Sequence, residues 1–433
     1  MTNLEQLYQH YLKHPVICTD TRSITKGCLF FALKGENFDA NTFAEKAIDQ
    51  GAAFSIIDNA DYAQNDQFIL VDDVLATLQQ LAKHHRQQLD IPIIGLTGSN
   101  GKTTTKELIR AVLAERYQTF ATKGNLNNHI GVPLSILGIN STIQIAVIEM
   151  GANHQKEIEF LCEIAQPTHG LISNVGMAHL DGFGGFEGVK KGKAELYAYL
   201  KAHHGTAFVN GSNEDLMEMS NKAALTNVVH YNSAQPNAVC GHLKHSDPLI
   251  EFDWSFKGQN HEAKANLTGT YNFENILAAI SIGCFFNLSA HEINKGLANY
   301  FPTNNRSQLT KTESNTVICD FYNANPSSMA AAINNLNSLS ATKKIAILGD
   351  MFELGEESSV QHAHIIQLAA QSNINELIFV GHHFFNTKDG YNAHFFSTPS
   401  EAAAFIKAQH WKGTLILLKG SRGMALEQLL PLL

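Results

Sequence analysis

The chain has 433 residues, of which 44% are hydrophobic and 16% are charged, and its formal net charge is -9. This composition excludes a disordered or fibrous protein, and the length predicts about two to four domains with apolar cores. The negative charge, without any basic stripe, argues against a nucleic-acid partner. Six scattered cysteines with no CxxC pair argue against a disulfide framework and a structural zinc site.

The first residues and the longest apolar runs indicate where the protein acts. The N-terminal stretch MTNLEQLYQHYLKH lacks the apolar segment of a signal peptide, and no run of about 18 apolar residues is present to span a membrane. We therefore expect a cytoplasmic protein that has no membrane partner. A monomer is also expected.

The beginning of the chain predicts a small α/β domain over residues 1–88. Short strand-like segments lie at 28–33 and 54–58, and a polar amphipathic stretch at 75–90 is typical of a helix.

A second pattern starts at residue 91 and predicts a central domain over 89–309. The apolar run at 91–97 leads through a glycine-containing turn into a helix predicted at 103–117. Further apolar strand candidates follow at 143–150, 170–175 and 206–210. Such strands alternating with helices favour a mostly parallel sheet covered on both faces, whereas 239–268 alternates like antiparallel strands.

After the Asn-rich turn at 301–308, strands and helices alternate again. The strand candidates are 315–320, 343–350, 376–381 and 414–420. They predict a Rossmann-like C-terminal domain over 310–433 and complete a three-domain α/β fold.

The strongest functional signal is TGSNGKTTT at 97–105, between a predicted strand and helix. Backbone N–H groups and the helix N-terminus of such a loop bind phosphates, Lys102 neutralises their charge, and Thr103 offers a hydroxyl to Mg²⁺. The full GxxxxGK[ST] pattern requires glycine where this chain has Leu96, so the loop is shortened. A chance glycine turn is disfavoured because the GKT triplet and the strand-helix context coincide.

Two further residues are candidates for the same edge of the sheet, and a third is a lysine on a helix. Glu149 ends an apolar strand, where a second Mg²⁺ ligand or an ordinary strand-end carboxylate is expected. His179 lies in a glycine-rich loop after another strand, although histidine is an unusual Mg²⁺ ligand. Lys193 is on a predicted helix, where a solvated lysine is the ordinary interpretation.

Seven motifs, taken in order and spacing, resemble the Mur ligase family over nearly the whole chain. They are TGSNGKTTTKE (97–107), NLNNHIGVPL (125–134), IEMG (148–151), SNVGMAHL (173–180), GKAELY (192–197), TGTYNFENILAA (268–279) and KGSRGMALE (419–427). FYNANPSSM (321–329) and GDMFELG (349–355) are similar to the branch that adds D-alanyl-D-alanine. Residues 19–52 resemble a UDP-binding module.

The resemblance implies an ATP-dependent ligase of peptidoglycan precursor synthesis. It would join D-alanyl-D-alanine to UDP-N-acetylmuramoyl-tripeptide through an acyl phosphate, with ATP and two Mg²⁺ ions. The residues implied to hold the phosphates are Gly98, Ser99, Asn100, Gly101, Lys102, Thr103 and Thr104. Thr103 and Glu149 would hold one metal ion, and His179 and Lys193 the other, with Lys193 as a lysine carbamate.

The resemblance also implies binding residues around the nucleotide. Asn272 and Asn275 would receive adenine, with a helix cap as the alternative for Asn272. Arg306 would contact phosphate and Asp320 the ribose.

Further residues are implied for the two other substrates. Arg22 and Ser23 would meet the UDP group, and Asn128 the muramoyl-peptide. Asn325 and Ser328 would lie near the dipeptide, although Asn-Pro is also an ordinary helix start.

Three alternatives remain at this stage. The Mur ligase that adds the third residue usually carries a DNPR-like motif where this chain has NANPSS. Folylpolyglutamate synthase shares the phosphate loop but usually lacks a UDP-binding domain. A non-catalytic Mur-like binding module is disfavoured because Lys102, Glu149 and Lys193 are all retained.

Overall fold

The computed structural model describes residues 3–235, 237–388 and 390–433. It contains three parallel or mostly parallel sheets in succession along the chain, each flanked by helices. The predicted α/β fold is therefore confirmed. The domain limits at residues 88 and 309 remain a prediction. Among the described residues, no helix is both long enough and apolar enough to cross a membrane.

The N-terminal region is built on a four-stranded parallel sheet in the order β1-β2-β5-β6. Its strands are β1 (Ile17–Cys18), β2 (Leu29–Phe31), β3 (Lys34–Gly35), β4 (Phe38–Asp39), β5 (Phe54–Ile57) and β6 (Phe68–Leu70), and its helices are α1 (Leu4–Lys13), α2 (Ala44–Asp49) and α3 (Val74–Gln87). The short strands β3 and β4 form a separate hairpin. Asp73 caps α3 by accepting a hydrogen bond from the Ala76 amide at 2.6 Å.

The central region contains a six-stranded parallel sheet in the order β12-β11-β10-β7-β9-β8 and a three-stranded antiparallel sheet, β13-β14-β15. The strands are β7 (Ile93–Thr97), β8 (Thr119–Ala121), β9 (Ile145–Glu149), β10 (His169–Ile172), β11 (Thr206–Asn210), β12 (Asn227–Tyr231), β13 (Cys240–His245), β14 (Ile250–Phe256) and β15 (Gln259–Ala265). The helices are α4 (Lys102–Leu113), α5 (Gly131–Leu137), α6 (Glu157–Ala165), α7 (Leu180–Phe183), α8 (Phe186–Ala202), α9 (Glu214–Lys222), α10 (Asn272–Phe285) and α11 (Ala290–Asn299).

Both faces of the six-stranded sheet are covered, as the unbroken apolar strands predict. Residues of α4 and α10, such as Val112 and Ile280, form the core on one face. On the other face α5, α6 and α8 pack together with α3 of the N-terminal region. Arg86 of α3 donates to the Ala165 carbonyl at 3.0 Å, which ties the two regions together by a buried hydrogen bond.

The C-terminal region has a six-stranded sheet in the order β16-β17-β21-β18-β19-β20, in which only β16 is antiparallel to its neighbour. The strands are β16 (Gln308–Lys311), β17 (Thr316–Asp320), β18 (Lys344–Gly349), β19 (Glu376–Val380), β20 (His394–Phe396) and β21 (Leu415–Lys419), and the helices are α12 (Pro326–Ser338), α13 (Ser358–Ala370), α14 (His382–Asn386) and α15 (Pro399–Gln409).

Several predicted elements are shorter than expected, and for two of them tertiary contacts account for the difference. The helix predicted at 103–117 ends at Leu113, and the Tyr117 hydroxyl donates to the Phe286 carbonyl at 2.8 Å beyond it. The strand predicted at 170–175 ends at Ile172, because Ser173 turns to donate to a carbonyl of the phosphate loop. All six cysteines are free thiols, of which four are buried.

Candidate active site

The candidate site lies at the carboxyl ends of β10, β7 and β9, which are neighbours in the central sheet. In parallel α/β sheets this edge is where ligands bind. A cavity of about 590 Å³ opens there and is lined by residues of both the central and the C-terminal regions. We call it the first cavity. Most of the nucleotide-site and metal-site residues expected from the sequence line it.

The phosphate loop follows β7 and needs glycine at two positions. Gly98 has φ +147°, and an added Cβ would lie 2.1 Å from the Ser173 hydroxyl. Gly101 has φ +73°, and its Cβ would lie 2.9 Å from the side chain of Asn275. The amide of Asn100 donates to Asn174 Oδ1 at 2.9 Å. The loop is therefore held in shape by the strand-end segment beside it.

Lys102, at the start of α4, lies against its own loop. Its Nζ donates to the carbonyls of Gly98 at 2.7 Å and Ser99 at 3.3 Å. Burial lowers the pKa of Lys102, and the positive charge of Arg306 lowers it further, while Glu149 opposes both effects. Its Nζ thus lies at the helix N-terminus, where an anion is favoured.

Thr103, which follows Lys102 in α4, forms a buried pair with Glu149 at the end of β9. The Thr103 hydroxyl is 3.0 and 3.2 Å from the two carboxylate oxygens, and Asn127 Nδ2 donates to Glu149 Oε1 at 2.9 Å. Lys106 Nζ lies 3.5 Å from Glu149 Oε2. A hydroxyl beside a carboxylate offers the oxygen ligands that Mg²⁺ prefers, so the pair fits the metal site expected here.

The remaining ligand positions of such a site would come from phosphate and water. In the described ranges, no three His, Cys, Asp or Glu side chains cluster as a ready-made metal site. Magnesium in nucleotide enzymes is usually held by one or two protein oxygens plus phosphate oxygens. The arrangement at Thr103 and Glu149 agrees with this mode.

Lys193 of α8 is buried, with only 1% of its surface exposed. Its Nζ is 3.4 Å from the Ala152 carbonyl and 5.0 Å from the centre of the Phe183 ring. Burial, and next the charge of Lys102, keep the pKa of Lys193 well below its usual value. Interpreting it as a solvated lysine is therefore wrong: Lys190, one turn earlier on the same helix, is the residue that forms surface ion pairs.

His179 connects the central region to the C-terminal region. It immediately precedes α7 and contacts the carboxylate of Glu353, which lies in the loop after β18. The hydrogen bond from His179 lowers the pKa of Glu353. Nearby, a Cβ on Gly355 would lie 3.0 Å from Asp181 Oδ1, so the two loops approach closely. His179 also lines the first cavity.

Asn272 and Asn275 lie buried in the first turn of α10. Asn272 Nδ2 donates to the Thr268 carbonyl at 2.8 Å, and Asn275 Nδ2 donates to Asn272 Oδ1 at 3.0 Å. The helix-cap alternative for Asn272 is wrong, because Asn272 is the first residue of α10 and Tyr271 holds the cap position. Both side chains line the first cavity beside Gly101.

Arg306 and Asp320 line the same cavity from the side of the C-terminal region. The Arg306 guanidinium lies 3.7 Å from the centre of the Tyr322 ring, which fixes its plane by stacking. Asp320 accepts a hydrogen bond from Lys419 Nζ at 2.7 Å. These contacts hold both groups in place in the wall of the first cavity.

Asn325 and Ser328 begin α12, as the ordinary interpretation of Asn-Pro predicts. Asn325 Oδ1 accepts from the Ser328 amide at 2.9 Å. Asn325 Nδ2 also donates to Asn100 Oδ1 at 2.8 Å, and Asn100 Nδ2 donates to the Ser327 hydroxyl at 2.8 Å. The phosphate loop is thereby bonded to the C-terminal region. The role of Asn325 and Ser328 near a dipeptide stays a prediction.

Only one of the three residues expected to bind the UDP-linked muramoyl-peptide lines the first cavity. Asn128 lines the first cavity, and its side chain accepts from the amides of Ile130 and Gly131. Arg22 and Ser23 are not among the lining residues; they lie in a single turn of the N-terminal region.

Five residues of the site received no role from the sequence: Lys106, Asn127, Tyr322, Glu353 and Lys419. Each lies within a motif that supports the family resemblance. The motif was therefore a usable signal, but their roles depend on partners distant in the chain, such as Glu149 for Asn127.

Comparison with known proteins agrees with this geometry. Family models match in three consecutive segments: "Mur ligase family, catalytic domain" at 15–86, "Mur ligase middle domain" at 96–283, and "Mur ligase, glutamate ligase domain" at 305–422. The UDP-N-acetylmuramoyl-tripeptide--D-alanyl-D-alanine ligase of Bacillus subtilis (strain 168) is 35% identical over 98% of this chain and 93% of its own length.

Solved structures give the same result. MurF from Acinetobacter baumannii is 31% identical, with a TM-score of 0.86 over 96% of this chain and 92% of that one. MurF ligase from Thermotoga maritima, solved in complex with ADP, is 25% identical, with a TM-score of 0.85 over 100% of this chain and 98% of that one. With its site geometry and its full-length relatives in agreement, the chain belongs to the Mur ligase family.

Proposed function

We propose that this protein is an ATP-dependent ligase that joins D-alanyl-D-alanine to UDP-N-acetylmuramoyl-tripeptide in peptidoglycan precursor synthesis. The observation that carries the proposal is one cavity in which the phosphate loop, the Thr103–Glu149 pair and the C-terminal region meet. The proposal is supported by relatives that are named UDP-N-acetylmuramoyl-tripeptide--D-alanyl-D-alanine ligase and that match over nearly the full length of both chains. The third-residue ligase and folylpolyglutamate synthase are less well supported, because their solved structures are only 18% and 13% identical to this chain, with TM-scores of 0.54 and 0.63. The enzyme names of the relatives do not favour the silent binding module.

The reaction begins with the terminal carboxylate of the tripeptide, which is a poor acyl donor. A carboxylate oxygen attacks the γ-phosphorus of ATP, the bond to the β-phosphate oxygen breaks, and ADP leaves. Lys102 and the amides of the phosphate loop offset the negative charge that accumulates between the two anions. The product of this step is an acyl phosphate.

The amine of D-alanyl-D-alanine then attacks the carbonyl carbon of the acyl phosphate. A tetrahedral intermediate forms, the amine loses a proton, and inorganic phosphate leaves with the oxygen that came from the carboxylate. An amide bond results. No covalent bond to an enzyme side chain is needed, so Lys102 and its neighbours act by positioning and electrostatic stabilisation.

We further propose that two metal ions serve the reaction. Thr103 and Glu149 would hold one Mg²⁺, and His179 with Lys193 would hold the other after Lys193 has become a carbamate. When bound, the ions supply Lewis-acid stabilisation of the phosphoryl oxygens. The lowered pKa of Lys193 favours the neutral amine that adds CO₂, and the product is a carboxylate at the end of a long arm.

The contacts across the first cavity support exclusion of water during the reaction. Asn100 bonds to Asn325 and Ser327, and His179 contacts Glu353, so the C-terminal region already covers the phosphate loop. An acyl phosphate is hydrolysable, and a covered site protects it.

We place the reaction in the cytoplasm, where ATP and UDP-linked precursors are available. We also propose that one chain suffices, because its central and C-terminal regions together already form the first cavity.

The proposal is tested by phosphate release from ATP in the presence of UDP-N-acetylmuramoyl-tripeptide and Mg²⁺. D-alanyl-D-alanine is compared with meso-diaminopimelate, L-lysine and L-glutamate as amine donors, each also offered with shorter UDP-linked peptides or a folate acceptor. We expect stimulation only by the dipeptide with the tripeptide substrate. Stimulation by another pair of amine donor and acceptor would assign a different substrate to the enzyme. No phosphate release with any pair would favour the non-catalytic binding module.

A further inference from the structure

A second cavity, of about 730 Å³, lies beside the first, between α4, the linker that follows α11, and the C-terminal region. Four residues line both cavities: Thr103, Asn125, Arg306 and Tyr322. The two cavities therefore adjoin at Thr103, whose hydroxyl belongs to the Thr103–Glu149 pair proposed to hold a metal ion. A molecule that occupies the second cavity can present one end to the reacting centre in the first.

The second cavity is lined by four cationic side chains and one acidic one, Glu107. Two of the cations are close to carboxylates. Arg110 Nε donates to Glu107 Oε2 at 2.9 Å. Lys106 is fully buried and lies 3.3 Å from Glu107 and 3.5 Å from Glu149. Neither offers an uncompensated charge to a ligand.

The other two cationic side chains, Arg306 and Arg422, differ in the contacts that they make with neighbouring residues. Arg306 is stacked on Tyr322 and borders the first cavity, where it is expected to contact phosphate. Arg422 lines only the second cavity, and its side chain is 61% exposed. Its closest carboxylate is that of Glu427, at 3.6 Å from Nη1, which is a weak surface pair. Arg422 thus has hydrogen-bond donors available for an incoming anion.

The proposed reaction requires such an anion site. The dipeptide must bring its amine to the acyl phosphate, while its terminal carboxylate, at most about 7 Å away in an extended dipeptide, needs a cationic partner. A guanidinium can bind a carboxylate with two parallel hydrogen bonds. We propose that Arg422 binds the C-terminal carboxylate of D-alanyl-D-alanine in the second cavity. The inference rests on the proposed function and adds a specificity residue to it.

Arg422→Ala tests this assignment through the steady-state kinetics of the dipeptide. Loss of a charge-assisted hydrogen-bonded pair should raise the KM for D-alanyl-D-alanine about 10- to 100-fold, with the KM for ATP nearly unchanged. Arg422→Lys should recover part of the loss, because it keeps the charge but not the paired donors. Arg110→Ala is the matched control, and its KM should stay within about twofold, since Glu107 already engages that arginine.

A second substrate separates charge recognition from a structural effect. The C-terminal amide of D-alanyl-D-alanine lacks the carboxylate, so the wild-type protein should discriminate strongly against it, and Arg422→Ala should discriminate little. If Arg422→Ala has too little turnover to measure, calorimetric titration of the dipeptide, with the UDP-linked tripeptide and a non-hydrolysable ATP analogue present, gives the same comparison.

Either of two results would overturn the inference: a KM for the dipeptide that does not change in Arg422→Ala, or equal discrimination against the amide in wild type and variant. A larger effect of Arg110→Ala than of Arg422→Ala would also overturn it. Failure of the proposed function is distinguishable, because then the wild-type protein itself would release no phosphate with the dipeptide.

Discussion

The carboxyl edge of the central sheet and the turn at residues 20–23 are both expected to bind substrate, yet they are built differently. At the sheet edge, Thr103 and Glu149 are buried and hydrogen-bonded to each other. In the turn, the Arg22 side chain is 89% exposed and pairs with Asp20 two residues away, at 2.6 Å. One site is held by contacts between distant parts of the chain, whereas the other is held by contacts within a single turn.

This difference predicts how each region responds to substitution. Groups held in place by the fold stabilise developing charge without reorganisation, so their loss should reduce kcat strongly. An exposed charge contributes little beyond its contact with the ligand, so its loss should alter KM and leave kcat unchanged.

Replacement of Lys193 should give the largest effect. Lys193→Ala removes the proposed carbamate ligand from a buried position, and kcat should fall by about 10³-fold. Lys190→Ala, one turn earlier on the surface, should keep kcat close to the wild-type value. Carbon-13 NMR with labelled bicarbonate should show a carbamate signal that is lost in Lys193→Ala and retained in Lys190→Ala. A fully active Lys193→Ala enzyme would contradict the role of α8 in the site.

Glu149→Gln should have the next largest effect. The amide keeps the size of the side chain and can still bond to Thr103, but it removes the anionic ligand, and kcat should fall by about 10²-fold. The Mg²⁺ concentration that gives half-maximal activity should rise. Titration of activity with Mg²⁺ checks both effects, and an unchanged Mg²⁺ dependence would show that Glu149 does not hold the metal.

Asn127→Ala should have a smaller effect through the same carboxylate. Asn127 donates to Glu149 Oε1 at 2.9 Å and so orients it. Loss of such a supporting partner should reduce activity about tenfold and shift the Mg²⁺ dependence in the same direction as Glu149→Gln. The double variant Glu149→Gln with Asn127→Ala should be little worse than Glu149→Gln alone; fully multiplicative losses would mean that Asn127 acts elsewhere.

Arg22→Ala should have the smallest effect. The KM for the UDP-linked tripeptide should rise by no more than about fivefold, with kcat and the KM for ATP unchanged, because Asp20 already pairs with the Arg22 guanidinium and such an exposed pair is worth at most about 1 kcal/mol. Initial rates at varied concentrations of the UDP-linked substrate measure this. A loss of kcat comparable with that of Glu149→Gln would show that the turn is as organised as the sheet edge.

The same contrast explains what could be predicted from the sequence. The phosphate loop was predictable because its glycines, its lysine and its strand-helix context lie within a few residues of one another. The order of strands and helices was predictable from hydrophobic periodicity. The α/β fold and the antiparallel segment at 239–268 followed from it.

The contacts between distant residues could not be predicted in this way. Nothing local to His179 indicates its contact with Glu353, and the burial of Lys193 depends on packing against Phe183 and the carbonyl of Ala152. The cap of α12 was predictable from Asn-Pro, but the bond from Asn325 to Asn100 joins residues 225 positions apart. Such pairings arise only on folding, within the central region for Lys193 and between the central and C-terminal regions for His179 and Asn325.

The most direct test of the central claim is the fate of oxygen from the tripeptide carboxylate. With UDP-N-acetylmuramoyl-tripeptide labelled with ¹⁸O in its terminal carboxylate, ATP, Mg²⁺ and D-alanyl-D-alanine, mass spectrometry should find one ¹⁸O atom in each released phosphate, with ADP as the nucleotide product. Unlabelled phosphate, or formation of AMP, would contradict an acyl phosphate formed at the phosphate loop.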